Sequence, residues 1–258
     1  MGSVRWTRAW SAAVVGLLFL LGSALAPSAA QAAPTVSAPD GVLFYPSVGG
    51  LLPLLQAPHF CSASVVHSAG HDLIATAAHC VYGTGATIEF APGFHAGQTP
   101  YGVWSVSAIY VDAAWQSGQA PSADVAFLRV SPLGGRQIED VVGSRPLGSP
   151  SVGVSVTVSG FPLQSNTASV CTAPLALTQG YPSVACPNGG MVDGVSGGAW
   201  VQRGALVGVV GGLQQGGCSA NVAYSAPFGA STRQLWQRAE VAGPGDLVLP
   251  GFFANSCT

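Results

Sequence analysis

From Val42 onward, short apolar segments alternate with turn residues, and this pattern limits the fold more than any other feature of the sequence. Most segments have four to eight residues, are rich in valine, and are bounded by Gly, Pro, Ser or Asn. The chain has 35 Gly and 19 Pro, a content typical of many strands joined by turns. We therefore predict an all-β protein of antiparallel strands. The predicted strands are 62–66, 73–77, 87–90, 104–111, 125–130, 154–158 and 206–210.

Only one segment has the periodicity of a helix. Residues 232–240 place Leu235, Trp236 and Ala239 on one face, with Ser231 as the predicted N-cap. A Gly-Pro-Gly sequence at 243–245 ends this helix. The stretch 131–144 is the predicted link between two β halves.

The first residues are typical of a secretory leader. Arg5 and Arg8 precede an uncharged apolar stretch at 11–26, and Ala30-Gln31-Ala32 has the form of a cleavage site. We predict a signal peptide at 1–32, a short propeptide or N-terminal extension at 33–41, and a secreted, extracellular mature protein.

The charge pattern excludes several classes of protein. Charged residues make up only 7% of the chain, the net charge is -2, and the eight basic residues, all Arg, form no cluster. Nucleic-acid binding therefore has no electrostatic support. No apolar run reaches the 18 residues of a membrane span, so we expect no membrane attachment after removal of the leader. We expect a monomer that uses no cofactor.

All six cysteines follow the leader, and an even number in an exported chain predicts three disulfides with fifteen possible pairings. A zinc site is disfavoured because no C-x-x-C pair is present. His67 and His71 are four residues apart, but Ser68-Ala69-Gly70 between them predicts a hairpin turn rather than a metal-binding helix. We expect no metal.

Three segments carry residues with catalytic chemistry: 73–80 ends in His79-Cys80, 122–128 contains Asp124, and 194–200 contains Ser196. A serine hydroxyl is a weak nucleophile until a base takes its proton, and histidine suits that task. A buried carboxylate fixes the imidazole tautomer and stabilises the imidazolium. Glycines beside the serine allow backbone N–H groups to approach a reacting carbonyl, and Gly194 and Ser196 are the candidate donors.

The order of these residues along the chain selects among the known hydrolase arrangements. Gly194 to Gly198 also fits G-x-S-x-G, the nucleophile turn of α/β-hydrolases, but that class needs a histidine after the serine. All five histidines precede Ser196. A subtilisin-like order needs an acid before the histidine, and only Asp40 and Asp72 qualify, neither in a suggestive setting. The order His79, Asp124, Ser196 is that of the chymotrypsin class.

The three segments resemble the signature blocks T-A-A-H-C, D-[IV]-A-[LF]-L and G-x-S-G-G of the chymotrypsin-type (trypsin-like) serine peptidases. The pieces 100–104, 158–162 and 209–212 resemble secreted bacterial members related to the glutamyl endopeptidases. The resemblance implies two antiparallel β-barrels with the active site between them. Residues 42–135 would form the first barrel, with His79 and Asp124. Residues 136–258 would form the second, with Ser196, the C-terminal helix and the tail.

The resemblance also implies residue roles: His79 as general base, Asp124 as its orienting acid and Ser196 as nucleophile, with an oxyanion hole from the Gly194 and Ser196 N–H groups. The expected protein is a secreted serine endopeptidase that cleaves protein or peptide substrates through an acyl-enzyme. The alternative is a catalytically silent homologue of the same fold that binds a protein partner.

The chain departs from the family before the serine. Vertebrate-type members have an aspartate there that pairs with a new N-terminal amine after zymogen cleavage, whereas this chain has Val195. The predicted mature start at Ala33 also lacks the usual Ile-Val-Gly-Gly. We infer that activation by insertion of the N-terminus does not operate.

The specificity pocket is expected to involve Gly190, Val210, Gly211 and Gly212. Gly190 stands where trypsin-like cleavage after Arg or Lys needs a carboxylate, and Val210 stands where glutamate-selective relatives place a histidine. Asp193 is expected at the rim. These residues favour an uncharged side chain at the cut site. Gly211 also replaces a serine that often supports the catalytic aspartate.

The resemblance implies a Cys61–Cys80 disulfide, because these cysteines match the bridge that closes the histidine loop in the family. For the other four cysteines, the preferred pairing is Cys171–Cys186 with Cys218–Cys257. The alternative is Cys186–Cys218 with Cys171–Cys257.

Overall fold

A computed structural model of the chain describes residues 1–3, 37–45, 59–249 and 257. The predicted signal peptide beyond residue 3, and residues 33–36 of the predicted extension, lie outside the described residues. The chain divides into two compact units, Met1–Ala33 and Pro34–Thr258. Within the described residues, no helix is both long enough and apolar enough to cross a membrane.

The first half of the larger unit is a closed six-stranded barrel. Its strands are β1 (Asp40–Phe44), β2 (Cys61–Val65), β3 (Leu73–Thr76), β4 (Glu89–Pro92), β5 (Trp104–Val111) and β6 (Ala126–Val130). The order around the barrel is β1-β2-β3-β6-β5-β4, and every neighbouring pair is antiparallel. Alternate side chains, among them Ile74, Phe90, Trp104 and Leu128, point inward and fill its core.

The second half has seven strands in two sheets. The strands are β7 (Ser155–Gly160), β8 (Ser169–Pro174), β9 (Ala176–Thr178), β10 (Tyr181–Ala185), β11 (Ala199–Gln202), β12 (Ala205–Val209) and β13 (Val222–Tyr224). One sheet has the order β12-β11-β7-β8 and the other β13-β10-β9. Val158, Val184, Trp200 and Ala223 come from both sheets and share one apolar core. The all-β prediction with two β halves is therefore confirmed.

The seven predicted strands each match an observed strand with ends within two residues. The sequence missed β1, β8, β9, β10, β11 and β13. Several of these are short or carry few valines, so that their apolar pattern was too weak to predict a strand.

Three α-helices are present among the described residues: α1 (Ala113–Gly118), α2 (Ile138–Val142) and α3 (Ala230–Glu240). Helix α3 confirms the predicted C-terminal helix, but the prediction of Ser231 as its N-cap was wrong. The helix begins at Ala230 and already includes Ser231, so the N-cap is Gly229, which has no side chain to form a capping bond. Helices α1 and α2 were missed because five or six residues are too few to show helical periodicity.

Helix α3 packs back onto the first barrel. Its residues Leu235 and Ala239 lie in one apolar cluster with Tyr110 of β5 and Phe127 of β6. The Arg129 guanidinium of β6 donates a hydrogen bond to the Ala239 carbonyl. The end of the chain thus supports the strand pair that leads to the site described below.

Three disulfides are present: Cys61–Cys80, Cys171–Cys186 and Cys218–Cys257. This is the pairing preferred from the sequence. Cys171 belongs to β8 and Cys186 follows β10, so their bridge joins the two sheets of the second half.

Candidate active site

Strand pairing brings His79 and Asp124 to the same edge of the first barrel. In the antiparallel pair β3 and β6, Thr76 lies opposite Ala126. The chain leaves β3 into a short 3-10 helix, Ala78–Cys80, which carries His79. It enters β6 from Asp124. The Cys61–Cys80 disulfide ties the histidine turn to the start of β2.

The Asp124 carboxylate holds His79 by two contacts. Its Oδ2 lies 2.8 Å from His79 Nδ1, and its Oδ1 accepts the His79 backbone N–H at 2.9 Å. The Asp124 side chain is 1% exposed and that of His79 is 9% exposed. With Nδ1–H donating to the carboxylate, the Nε2 lone pair is available as a base. His79 Nε2 has no hydrogen-bond partner among the described residues.

Asp124 has a third donor, which the sequence did not predict. The Gly212 N–H donates to Asp124 Oδ2 at 2.8 Å. A Cβ on the preceding Gly211 would lie 2.9 Å from the same oxygen. A backbone amide therefore supports this aspartate where other family members use a serine hydroxyl.

Ser196 lies on a tight turn before β11 and is held beside the histidine turn. Its carbonyl accepts the Ser62 N–H at 2.7 Å, and the Gly197 N–H donates to the Val210 carbonyl at 2.8 Å. Gly197 has φ +76°, and a Cβ there would lie 2.1 Å from Thr76 Oγ1. Only glycine permits this approach, which brings the turn against the end of β3.

The backbone around Ser196 leaves two donors unpaired. Within the described part of the chain, neither the Gly194 N–H nor the Ser196 N–H donates to a protein acceptor. Gly194 has φ +95°, and a Cβ there would lie 2.4 Å from the Leu163 nitrogen. Two free N–H groups beside a serine hydroxyl are what binding of a carbonyl oxyanion requires.

Val195 is 3% exposed and lies in the apolar core of the second half, with Val158 and Trp200. At this position a charged side chain would need a partner, since an unpaired charge is costly to bury. The valine needs none.

A cavity of about 650 Å³ opens beside Ser196. Its apolar lining residues include Met191, Val195 and Val210, and the exposed Asp193 also borders it. The opposite wall includes residues 215–220 and Cys257, so the Cys218–Cys257 disulfide forms part of it.

The other predicted pocket residues lie elsewhere around the site. Gly211 and Gly212 lie against Asp124, and a Cβ on Gly190 would lie 2.8 Å from Ser169 Oγ. None of these three is among the described lining residues of the cavity. Sequence reasoning missed Met191, and it predicted the Cys218–Cys257 disulfide without placing it in the wall of the cavity.

One group of potential metal ligands is present among the described residues: Cys61, His79 and Cys80. Cys61 and Cys80 are bonded to each other and offer no thiolate. This group therefore does not fit a metal ion.

Among the solved structures with this fold are three proteases. Protease Anisep from Arthrobacter nicotinovorans is 24% identical, with a TM-score of 0.65, and the match covers 81% of this chain and 98% of that one. Thermostable serine protease AL20 from an extremophilic microorganism is 24% identical, with a TM-score of 0.66 and coverages of 81% and 100%. A Glu endopeptidase is 18% identical, with a TM-score of 0.58 and coverages of 81% and 92%.

A curated relative, the extracellular metalloprotease of Bacillus subtilis (strain 168), is 30% identical over 115 residues. The match covers 43% of this chain and 36% of the relative, so the chain spans little more than a third of that protein's length. The family model named Trypsin matches residues 53–229, which is most of the chain. The chain belongs to the trypsin family and has the chymotrypsin-like fold.

Proposed function

We propose that the protein is a secreted serine endopeptidase that hydrolyses peptide bonds through an acyl-enzyme on Ser196. The observation that carries this proposal is the His79–Asp124 pair at 2.8 Å beside a serine turn with two unpaired N–H groups. A buried acid, a base with a free nitrogen and an oxyanion site are the parts that acyl transfer needs.

In the acylation step, His79 Nε2 takes the proton of the Ser196 hydroxyl as Oγ attacks the scissile carbonyl carbon. The carbonyl oxygen becomes an oxyanion that the Gly194 and Ser196 N–H groups stabilise. Asp124 stabilises the imidazolium, because its carboxylate is almost fully buried and bonded to Nδ1. The imidazolium then gives its proton to the leaving amine, and the C–N bond breaks.

In the deacylation step, water takes the place of the amine. His79 accepts a proton from the water as its oxygen attacks the ester carbon, and the same N–H groups stabilise the second oxyanion. Collapse of this intermediate breaks the bond to Ser196 Oγ, which regains its proton from His79. The products are a free carboxylate and a free amine, and no cofactor is needed.

The cavity beside Ser196 supports a preference for uncharged side chains at the cut site. Met191, Val195 and Val210 give it apolar walls, whereas Asp193 lies at an exposed rim. Asp193 is the only charged residue among the described lining residues, so a charged substrate side chain deeper in the cavity would lose hydration without gaining an ion-pair partner. We expect cleavage of proteins or peptides after uncharged residues.

Two further features support export of the enzyme, which we propose is a monomer. The N-terminal leader pattern at 1–32 precedes the catalytic unit, and three disulfides are stable in an oxidising compartment. The two β halves are proposed as residues 42–135 and 136–258.

A peptide library tests the function. The wild-type enzyme should cleave peptides after uncharged residues, and Ser196→Ala should abolish hydrolysis with a nearly unchanged melting temperature. Full activity of Ser196→Ala would refute the assignment. No cleavage by correctly folded, disulfide-bonded wild type would favour the silent, protein-binding homologue.

A further inference from the structure

Ser62, the second residue of β2, contacts the serine turn through both its backbone and its side chain. Its N–H donates to the Ser196 carbonyl at 2.7 Å, and its hydroxyl donates to the Gly194 carbonyl at 3.0 Å. The same hydroxyl accepts the Phe161 N–H at 2.8 Å. One buried side chain, 1% exposed, thus links the first barrel, the 161–163 loop and the serine turn.

These bonds bear on the direction of the oxyanion donors. In a trans peptide the C=O and N–H groups point in opposite directions, so a bond to a carbonyl fixes the N–H of the same peptide. The Asp193 carbonyl accepts the Leu163 N–H at 2.7 Å, which turns the Gly194 N–H away from that loop. The Val195 carbonyl, in the same peptide as the Ser196 N–H, accepts the Gly198 N–H at 2.8 Å. The Ser62 hydroxyl holds the Gly194–Val195 peptide, which lies between the two peptides that carry the donors, and the Ser62 N–H holds the peptide after Ser196.

Vertebrate-type members of the family hold this turn by an ion pair between an aspartate before the serine and the new N-terminus. Here that position is Val195, whose side chain lies in an apolar core. The serine turn therefore needs a different anchor, and the Ser62 hydroxyl is a buried polar side chain bonded to it.

We propose that Ser62 is a positioning residue whose hydroxyl holds the oxyanion hole in its binding geometry. The inference rests on the proposed function. Ser62 is itself fixed, because Thr76 Oγ1 donates to the Ser62 carbonyl at 2.8 Å. The hydroxyl has one donor bond and one acceptor bond, so it is satisfied only in this orientation.

The test compares Ser62→Ala with Ser64→Ala. Both variants remove one buried hydroxyl from β2, but the Ser64 hydroxyl accepts a hydrogen bond from Arg145 and does not touch the serine turn. We expect Ser62→Ala to lower kcat about tenfold, less than the roughly 10²–10³-fold lost with an oxyanion donor itself. The KM of Ser62→Ala should change by less than about twofold. Ser64→Ala should keep kcat within about twofold of the wild-type value.

A peptide aldehyde ending in leucinal separates positioning from general destabilisation. Its adduct with Ser196 carries an oxyanion, so its affinity should fall in Ser62→Ala by the same factor as kcat/KM. If folded Ser62→Ala keeps the kcat and the aldehyde affinity of the wild type, the inference is overturned.

Hydrogen–deuterium exchange provides a readout that does not depend on activity. Amides in peptides covering 192–200 should exchange faster in Ser62→Ala than in wild type or Ser64→Ala. Equal rates in all three proteins would overturn the role of Ser62. An inactive wild type with the expected exchange pattern would instead refute the proposed function and leave the anchor in place.

Discussion

Replacing Asp124 by asparagine tests how the carboxylate controls His79. Both carboxylate oxygens accept N–H groups: Oδ1 from the His79 backbone, and Oδ2 from His79 Nδ1 and Gly212. An asparagine must place its NH₂ group at one of these two positions. Either orientation points the NH₂ at a backbone N–H, that of Gly212 at the Oδ2 position or that of His79 at the Oδ1 position.

Both orientations damage catalysis. With the NH₂ at the Oδ2 position, it donates to Nδ1, and the ring proton moves to Nε2, where it blocks proton uptake from Ser196. With the NH₂ at the Oδ1 position, His79 keeps its proton on Nδ1. A neutral amide then replaces the carboxylate that stabilises the imidazolium. We expect kcat to fall by about 10⁴-fold, the order found for this exchange in the Ser-His-Asp triads of other peptidases. One buried N–H also loses its acceptor, at a cost of about 1–3 kcal/mol in stability.

Initial rates on a peptide amide with an apolar residue at the cut site measure the effect. Asp112→Asn is the matched control, since it removes one carboxylate at the N-cap of α1, where asparagine also serves as a cap. This control should keep wild-type kcat. If folded Asp124→Asn retains more than about a tenth of wild-type kcat, the orienting role of Asp124 is refuted.

Three stability predictions can be tested by thermal or urea unfolding. Burial lowers the pKa of His59 below its ordinary 6.5, and the bond to the Ser165 carbonyl offsets this only in part. The unfolded chain therefore takes up the proton first, and stability should fall as the pH drops below about 6.5. His59→Gln should flatten this decline, and an equally steep decline would contradict it. Replacing Cys171 and Cys186 together by serine opens a 15-residue loop and should cost about 3 kcal/mol, whereas an unchanged midpoint would argue against this bridge. Arg145→Ala leaves the buried Asp40 carboxylate without its partner and should cost about 3–5 kcal/mol, and a loss below about 1 kcal/mol would be inconsistent with a buried pair.

The sequence predicted the fold class and the main chemistry because each depends on local patterns. Valine-rich runs between turn residues gave β5 and β6 closely, since these strands have one or both faces in a core. The order His79, Asp124, Ser196 selected one arrangement among several hydrolase classes. Short helices such as α1 and α2 carry no such pattern.

The remaining parts of the site depend on contacts between distant segments. The Gly212 amide reaches Asp124 across 88 positions of sequence, and Ser62 reaches Gly194 across 132. Every residue except proline has a backbone N–H, so the sequence does not mark the one that reaches Asp124. A serine after a cysteine belongs to no motif that would mark Ser62. Such contacts follow from how the two β halves pack, which no local pattern specifies.

Labelling with a fluorophosphonate tests the central claim most directly. The purified protein, freed of the predicted leader at 1–32 and with its disulfides intact, is treated with the probe and mapped by peptide mass spectrometry. The account predicts a stoichiometric adduct on Ser196 that is absent in Ser196→Ala and strongly slowed in Asp124→Asn. No adduct on the folded wild type, or an adduct at another residue, would contradict an activated serine at this site.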